Sequence, residues 1–138
     1  MLMYLDTDTP YNPDIYYFLS GFDVYDDDDG SFENELNKYD PNNDGGREFL
    51  IKNYIINRYN GLPYKHKFIL VNLLDKTLKK SNFDFNYVFE HYADDYSTLP
   101  WDWDIKDPRG FFEDIYKIAK ESWKNELYKA SLEDPNAW

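Results

Sequence analysis

Apolar residues in this chain recur at intervals of three and four, the spacing of one helical face. Asn12-Pro13 places a capping residue before a proline at the first helical position, and Gly21 supplies a stop. A short helix is expected between them, with Ile15, Phe18, Leu19 and Phe22 turned inward. Ser31 to Tyr39 predicts a second through Phe32, Leu36 and Tyr39. Arg47 to Asn60 predicts a third, on which Leu50/Ile51, Tyr54/Ile55 and Tyr59 share a face and after which Gly61 ends the run. Pro63 opens a fourth that continues to Lys80. Its stripe is Phe68, Val71, Leu74 and Leu78, widened by Ile69, Leu70 and Leu73, so it belongs at the centre with neighbours on several sides. Ser81 to Asp84 has capping-box spacing, with Asp in place of Glu, ahead of a helix carrying Phe85, Val88, Phe89 and Tyr92. Ser97 to Lys106 reads as an aromatic loop. Asp107-Pro108 starts a last helix through Phe111/Phe112, Ile115, Ile118/Ala119, Trp123 and Leu127, which Asp134-Pro135 ends. The expectation is an all-α fold: one domain over residues 1–138, a bundle of five or six helices, with a short N-terminal strand near Met1–Leu5 as a weak addition.

Composition adds one unusual element to this picture. Of 138 residues, 20% are aromatic: 14 Tyr, 10 Phe and 4 Trp. A core of this size cannot hide every ring, and Tyr and Trp that reach the surface are favoured contact residues. The competing reading is that rings replace Leu and Val in the core, as in the Asn-, Lys- and Tyr-rich proteins of A/T-rich genomes. The absence of Cys excludes disulfides, thiolate metal sites and a cysteine nucleophile. The start, Met-Leu-Met-Tyr-Leu-Asp, has no basic region and no long apolar stretch, so no secretory leader is expected. The longest unbroken apolar run, Phe68 to Val71, is far short of a membrane span. A cytoplasmic location follows as the expectation.

Charge changes the picture most. The formal net charge is −12, and it is unevenly spread. Residues 1–44 hold 12 acids against Lys38 alone. Residues 45–82 hold 8 bases and 2 acids, and residues 83–107 hold 7 acids against one base. Two acidic segments thus flank a basic one. Asp26-Asp27-Asp28-Asp29-Gly30 must be a solvated loop, because four adjacent carboxylates repel one another. A surface of this kind attracts a cationic partner and repels nucleic acid and anionic membranes. The basic stretch 45–82 either neutralises the acidic ones, within the fold or across a dimer, or leaves them to an outside partner.

Candidate chemistry is sparse. Asp40-Pro41-Asn42-Asn43-Asp44-Gly45 matches the first half of a calcium loop, with oxygen donors at Asp40, Asn42 and Asp44 and glycine at the sixth position. The twelfth position is Ile51, which cannot ligate, and Glu48 at the ninth substitutes only in part. An Asx-rich turn before a helix is the simpler reading. His91 shares a helical face with Asp94 and Asp95 but lacks a third ligand. His66 sits in Lys65-His66-Lys67, read as a solvated basic corner. No P-loop, dinucleotide-binding glycine turn, nucleophile elbow or zincin motif is present. No enzyme, no cofactor and no metal are expected.

The segment from Ala93 to Asp104 interleaves acids with rings. Asp94, Asp95, Asp102 and Asp104 offer charge-assisted hydrogen bonds to Lys and Arg, and Tyr96, Trp101 and Trp103 offer stacking anchors. With Asp26, Asp27, Asp28 and Asp29 they make the expected partner-binding set. Against this stands a plainer reading, in which Trp101 and Trp103 plug the end of the bundle and the aspartates cap helices.

A small, Cys-free, acidic, aromatic-rich helical chain resembles bacterial toxin-immunity proteins, most closely in character those of contact-dependent growth inhibition systems. The resemblance is one of style over the whole chain. It is carried by the turn Gly21-Phe22-Asp23-Val24-Tyr25-Asp26 after a short helix and by Asp107-Pro108-Arg109-Gly110-Phe111-Phe112-Glu113 opening the last one. It implies a stoichiometric inhibitor that occludes a secreted toxin domain, often a basic nuclease, in the cytosol of the producing cell, and it carries over no active-site residue. Two other classes stay open: a phage anti-defence or DNA-mimicking protein using the same acidic surface, and a calcium-binding interaction module built on Asp40–Glu48.

Overall fold

The computed structural model describes residues 1–92, 96–100 and 102–138. Among these the chain is all-α, and no sheet forms. Where an N-terminal strand was expected there is one antiparallel bridge, Met3 with Pro10.

The chain first winds into a 3-10 helix, Ile15–Phe22, that buries Ile15, Phe18, Leu19 and Phe22 as the pattern predicts. Its cap is not Asn12. The Asp14 carboxylate accepts from the Tyr16 N–H at 3.0 Å. Nor is Gly21 the stop, since it lies inside the helix and Asp23 terminates it. Helix α1 (Ser31–Leu36) follows the aspartate loop, and α2 (Asp44–Ile51) starts before the expected Arg47. The Asn43 side-chain oxygen accepts from the N–H groups of Gly45 and Gly46 and so draws the helix start back. α2 runs on through a π turn, Lys52–Ile56, into α3 (Asn57–Tyr59).

Helix α4 (Tyr64–Leu78) is central, but its buried face is rotated from the predicted one. His66, Lys67, Leu70, Val71, Leu74 and Thr77 are buried, while Phe68 and Leu78 are only half-buried. The Lys65-His66-Lys67 corner is therefore not solvated: His66 is 4% exposed and Lys67 3%. Each has a polar partner, although His66 Nδ1 is buried with none among the described residues. A His66 ring nitrogen, Nε2, lies 2.7 Å from the Met3 carbonyl oxygen, and the imidazole meets Tyr11 edge-on. Lys67 Nζ donates to Glu126 at 2.5 Å and lies over the Trp123 ring.

Asp84 caps α5 (Phe85–Glu90) by accepting from the Tyr87 N–H, and Asp107 caps α6 (Pro108–Ser122) by accepting from the Gly110 N–H. The last predicted helix is in fact two. Trp123 leaves helical geometry at φ −111°, ψ 19°, and α7 (Lys124–Ser131) begins after it. The Trp123 indole N–H donates to Asn60 Oδ1 at 2.8 Å, a contact that fixes the break. A short 3-10 turn, Pro135–Ala137, closes the chain.

Many rings do belong to the core. Phe111 and Phe112 are fully buried and meet Phe22, Phe85 and Phe89. Arg109 donates to the Leu78 carbonyl at the open end of α4 and to the carbonyls of Lys80 and Phe83 in the turn that follows. Among the described residues no helix is long and apolar enough to cross a membrane.

Candidate functional site: an acidic and aromatic face

Two segments far apart in sequence are tied together beside the 3-10 helix. The Thr98 N–H donates to Asp23 Oδ1 at 2.9 Å, and the Val24 N–H donates to the Thr98 carbonyl at 2.8 Å. The same Asp23 oxygen accepts from the Tyr25 N–H at 3.0 Å, which makes the local turn. One carboxylate thus shapes the entry to the aspartate loop and docks the 96–100 segment on it. Tyr25 and Tyr96 meet edge-to-face across the junction, their ring centres 6.1 Å apart. Both are exposed, Tyr96 at 77%. The two stretches singled out from sequence therefore adjoin.

Within the aspartate loop the four carboxylates have different surroundings. Asp27 is half-buried and turns inward, accepting from the Phe32 N–H at 3.1 Å and the Glu33 N–H at 2.8 Å. It thereby caps α1, which has no side-chain cap at Gly30. Asp29 accepts from the Ser31 N–H at 3.0 Å. That bond, with one to the Ser31 side chain, holds its carboxyl below the usual aspartate range. Asp26 and Asp28 are exposed. A shallow cleft beside them is lined by Ser20, Asp23, Asp26, Asp27, Phe32 and Arg58.

Across the junction, Asp102 and Asp104 are exposed, and Asp104 forms an ion pair with Lys106. Trp103 is half-buried and packs edge-on against Phe22 at 4.9 Å. It serves the end of the core more than the open surface. Its indole N–H is buried with no acceptor among the described residues. Asp94, Asp95 and Trp101 lie outside the described residues.

One cation of the basic middle of the chain, Arg58, lines the shallow cleft beside Asp23, Asp26 and Asp27. Among the described residues Arg47 pairs with Asp114, Lys52 with Glu48, Lys67 with Glu126 and Lys79 with Asp75. No ion pair there involves Asp26, Asp27, Asp28, Asp29 or Asp102.

The calcium-loop candidates are engaged separately. Asp40 accepts from the Asn42 N–H, and Glu48 pairs with Lys52. Asn42 bridges to the aromatic loop, donating to the Asp104 carbonyl at 2.7 Å and accepting from the Lys106 N–H at 2.8 Å. Asp44 lines a cleft with Glu48, Asp114 and Lys117. Among the described residues no group of three or more histidines or carboxylates is placed to hold a metal ion. His91 is exposed and stacks on Tyr87 at 3.9 Å.

A third concavity, of about 350 Å³, opens between α5 and the segments Thr98–Pro100 and Trp103–Ile105. Phe89, Tyr92, Leu99 and Trp103 supply its apolar walls, and Glu90 and Asp104 its acids. Burial, with the charge of Asp23 second, pushes the Tyr92 hydroxyl up to about 12. Asp23 and Thr98 fall in segments singled out from the sequence, but neither is assigned a role there, and this groove is not foreseen. The available signal was Asp23 two residues before Tyr25, the spacing of an Asx turn. The tie to Thr98 left no local trace.

Compared with known proteins, the chain matches no family model, and no curated protein and no solved structure is significantly similar to it.

Proposed function

We propose that this protein is a binding module that docks a cationic partner protein and performs no reaction on it, and that it acts as an immunity protein neutralising a basic toxin domain by occlusion. The observation that carries the reading is the Asp23–Thr98 tie. It joins the aspartate loop and the aromatic loop into one face, on which Tyr25 and Tyr96 stand exposed near Asp26, Asp27, Asp28, Asp29 and Asp102, which form no ion pair among the described residues. Exposed rings supply contact area at low entropic cost, and the surrounding charge steers a positive partner and speeds its approach. A nuclease presents lysines and arginines to phosphates, so an acidic protein is suited to cover that surface. Cytoplasmic action in the cell that makes the toxin belongs to the same proposal.

The test is to isolate the protein with whatever it binds in its own cells and assay that partner alone and with the purified protein added back. The proposal expects the partner's activity to fall to background at a one-to-one ratio. A partner that keeps full activity when saturated would overturn it.

A further inference from the structure

The groove between α5 and the segments Thr98–Pro100 and Trp103–Ile105 has a composition that the wider face lacks. Its walls are flat rings, Phe89, Tyr92 and Trp103, closed by Leu99, and its acids are Glu90 and Asp104. The opening of about 350 Å³ is at the small end of the range for ligand pockets. Among the described residues Glu90 is in no ion pair, whereas Asp104 already holds Lys106. Glu90 is exposed, so its carboxylate is open to an incoming cation.

We infer that this groove receives an arginine side chain of the cationic partner, with Glu90 as the principal anion and the Phe89–Trp103 walls as the stacking surface. The inference rests on the docking function proposed above. Charge complementarity selects a cation, and the rings select which cation. A guanidinium is planar, weakly hydrated and able to stack while its edge bonds a carboxylate, whereas a lysine ammonium is a compact, strongly hydrated point charge. An anionic or apolar segment would leave Glu90 facing it uncompensated.

The probe is a short peptide carrying a single arginine, titrated into the isotope-labelled full chain and followed by NMR. A control peptide carries citrulline, which keeps the shape and loses the charge. The expected result is saturable shifts of the Trp103 indole N–H and of Phe89 and Glu90 backbone signals. Citrulline should weaken binding, and Glu90→Gln should weaken it about fivefold or more, as loss of a charge-assisted bond implies. Because Glu90 is exposed, that variant keeps the fold. Saturable shifts confined to Tyr25–Asp29 would overturn the groove assignment and leave the docking face standing. No saturable shift anywhere would overturn the groove assignment, and the wider docking function would then be judged by the partner assay above. Equal binding of the arginine and citrulline peptides would overturn the cation assignment alone.

Discussion

Gly21 in the first helix backs directly onto the main chain of Tyr54: a β-carbon at Gly21 would lie 1.9 Å from the Tyr54 carbonyl oxygen. Tyr54 belongs to the π turn Lys52–Ile56, where the ladder of the long helical run is widened. Helix and turn meet backbone to backbone, and only a residue with no side chain fits. The face described above hangs from this contact, because Asp23 and Val24 follow immediately.

Substituting Gly21→Ala forces rigid backbone apart, since the atom it meets is not the end of a movable side chain. The expected cost is on the order of 1–3 kcal/mol. Urea denaturation reads it as a lower midpoint at unchanged slope. Gly61, with open space around the same position, should tolerate alanine at this level of steric cost.

Lys67 is buried beside a half-buried Glu126, with side-chain exposures of 4% and 38%. Removing only the carboxylate leaves an ammonium in the interior without its counter-charge. Glu126→Ala should therefore cost about 2 kcal/mol, less than a fully buried pair would because Glu126 still reaches water. Lys67→Met combined with Glu126→Ala should recover part of that loss, because an apolar chain under Trp123 needs no partner. Equal stability of Glu126→Ala and the parent would refute the pairing.

Alkaline pH should unfold the protein in a window set by its tyrosines. Burial raises the hydroxyls of Tyr11, Tyr59 and Tyr92 above the ordinary value of 10.0, and Tyr92 is carried to about 12. The folded chain thus holds these protons more tightly than the unfolded chain. Below pH 10 both states are protonated and the stability is intact. Above it the unfolded state releases protons first, and stability falls as pH rises toward 12. Tyrosinate absorbance and loss of helical circular dichroism should rise together there. Ionisation of all 14 tyrosines with the helices intact would show that these three rings are accessible.

Periodicity and caps made part of this legible in the sequence. Ile15, Phe18, Leu19 and Phe22 face inward where their spacing puts them, and Asp107 with Pro108 begins a helix as that pair usually does. These signals are local. The features that escaped are tertiary. Trp123 interrupts a regular amphipathic pattern without glycine or proline, because Asn60 holds its indole. Lys65-His66-Lys67 looks solvated until Met3 and Glu126 supply partners from distant parts of the chain. The two acidic segments were visible as composition. Their meeting depends on Asp23 and Thr98, which lie 75 residues apart.

Asp23 should act as a positioning residue for the face. Asp23→Ala removes the acceptor for both Thr98 and Tyr25 and should cost about 1–2 kcal/mol. It should also separate Tyr25 from Tyr96, seen as loss of the contact between their ring protons by NMR. Survival of that contact would show that the two loops meet without the carboxylate.

The decisive measurement is the association rate with the isolated partner, taken at several salt concentrations for the parent chain and for a chain with Asp26, Asp28, Asp29 and Asp102 changed together to Asn. Exposed charges act over about 8 Å at physiological ionic strength, so steering should fade as salt is added. The parent rate should fall steeply with salt, and the substituted chain should associate about tenfold more slowly at low salt with a flatter dependence. Identical rates and identical salt dependence for the two chains would contradict docking through this face.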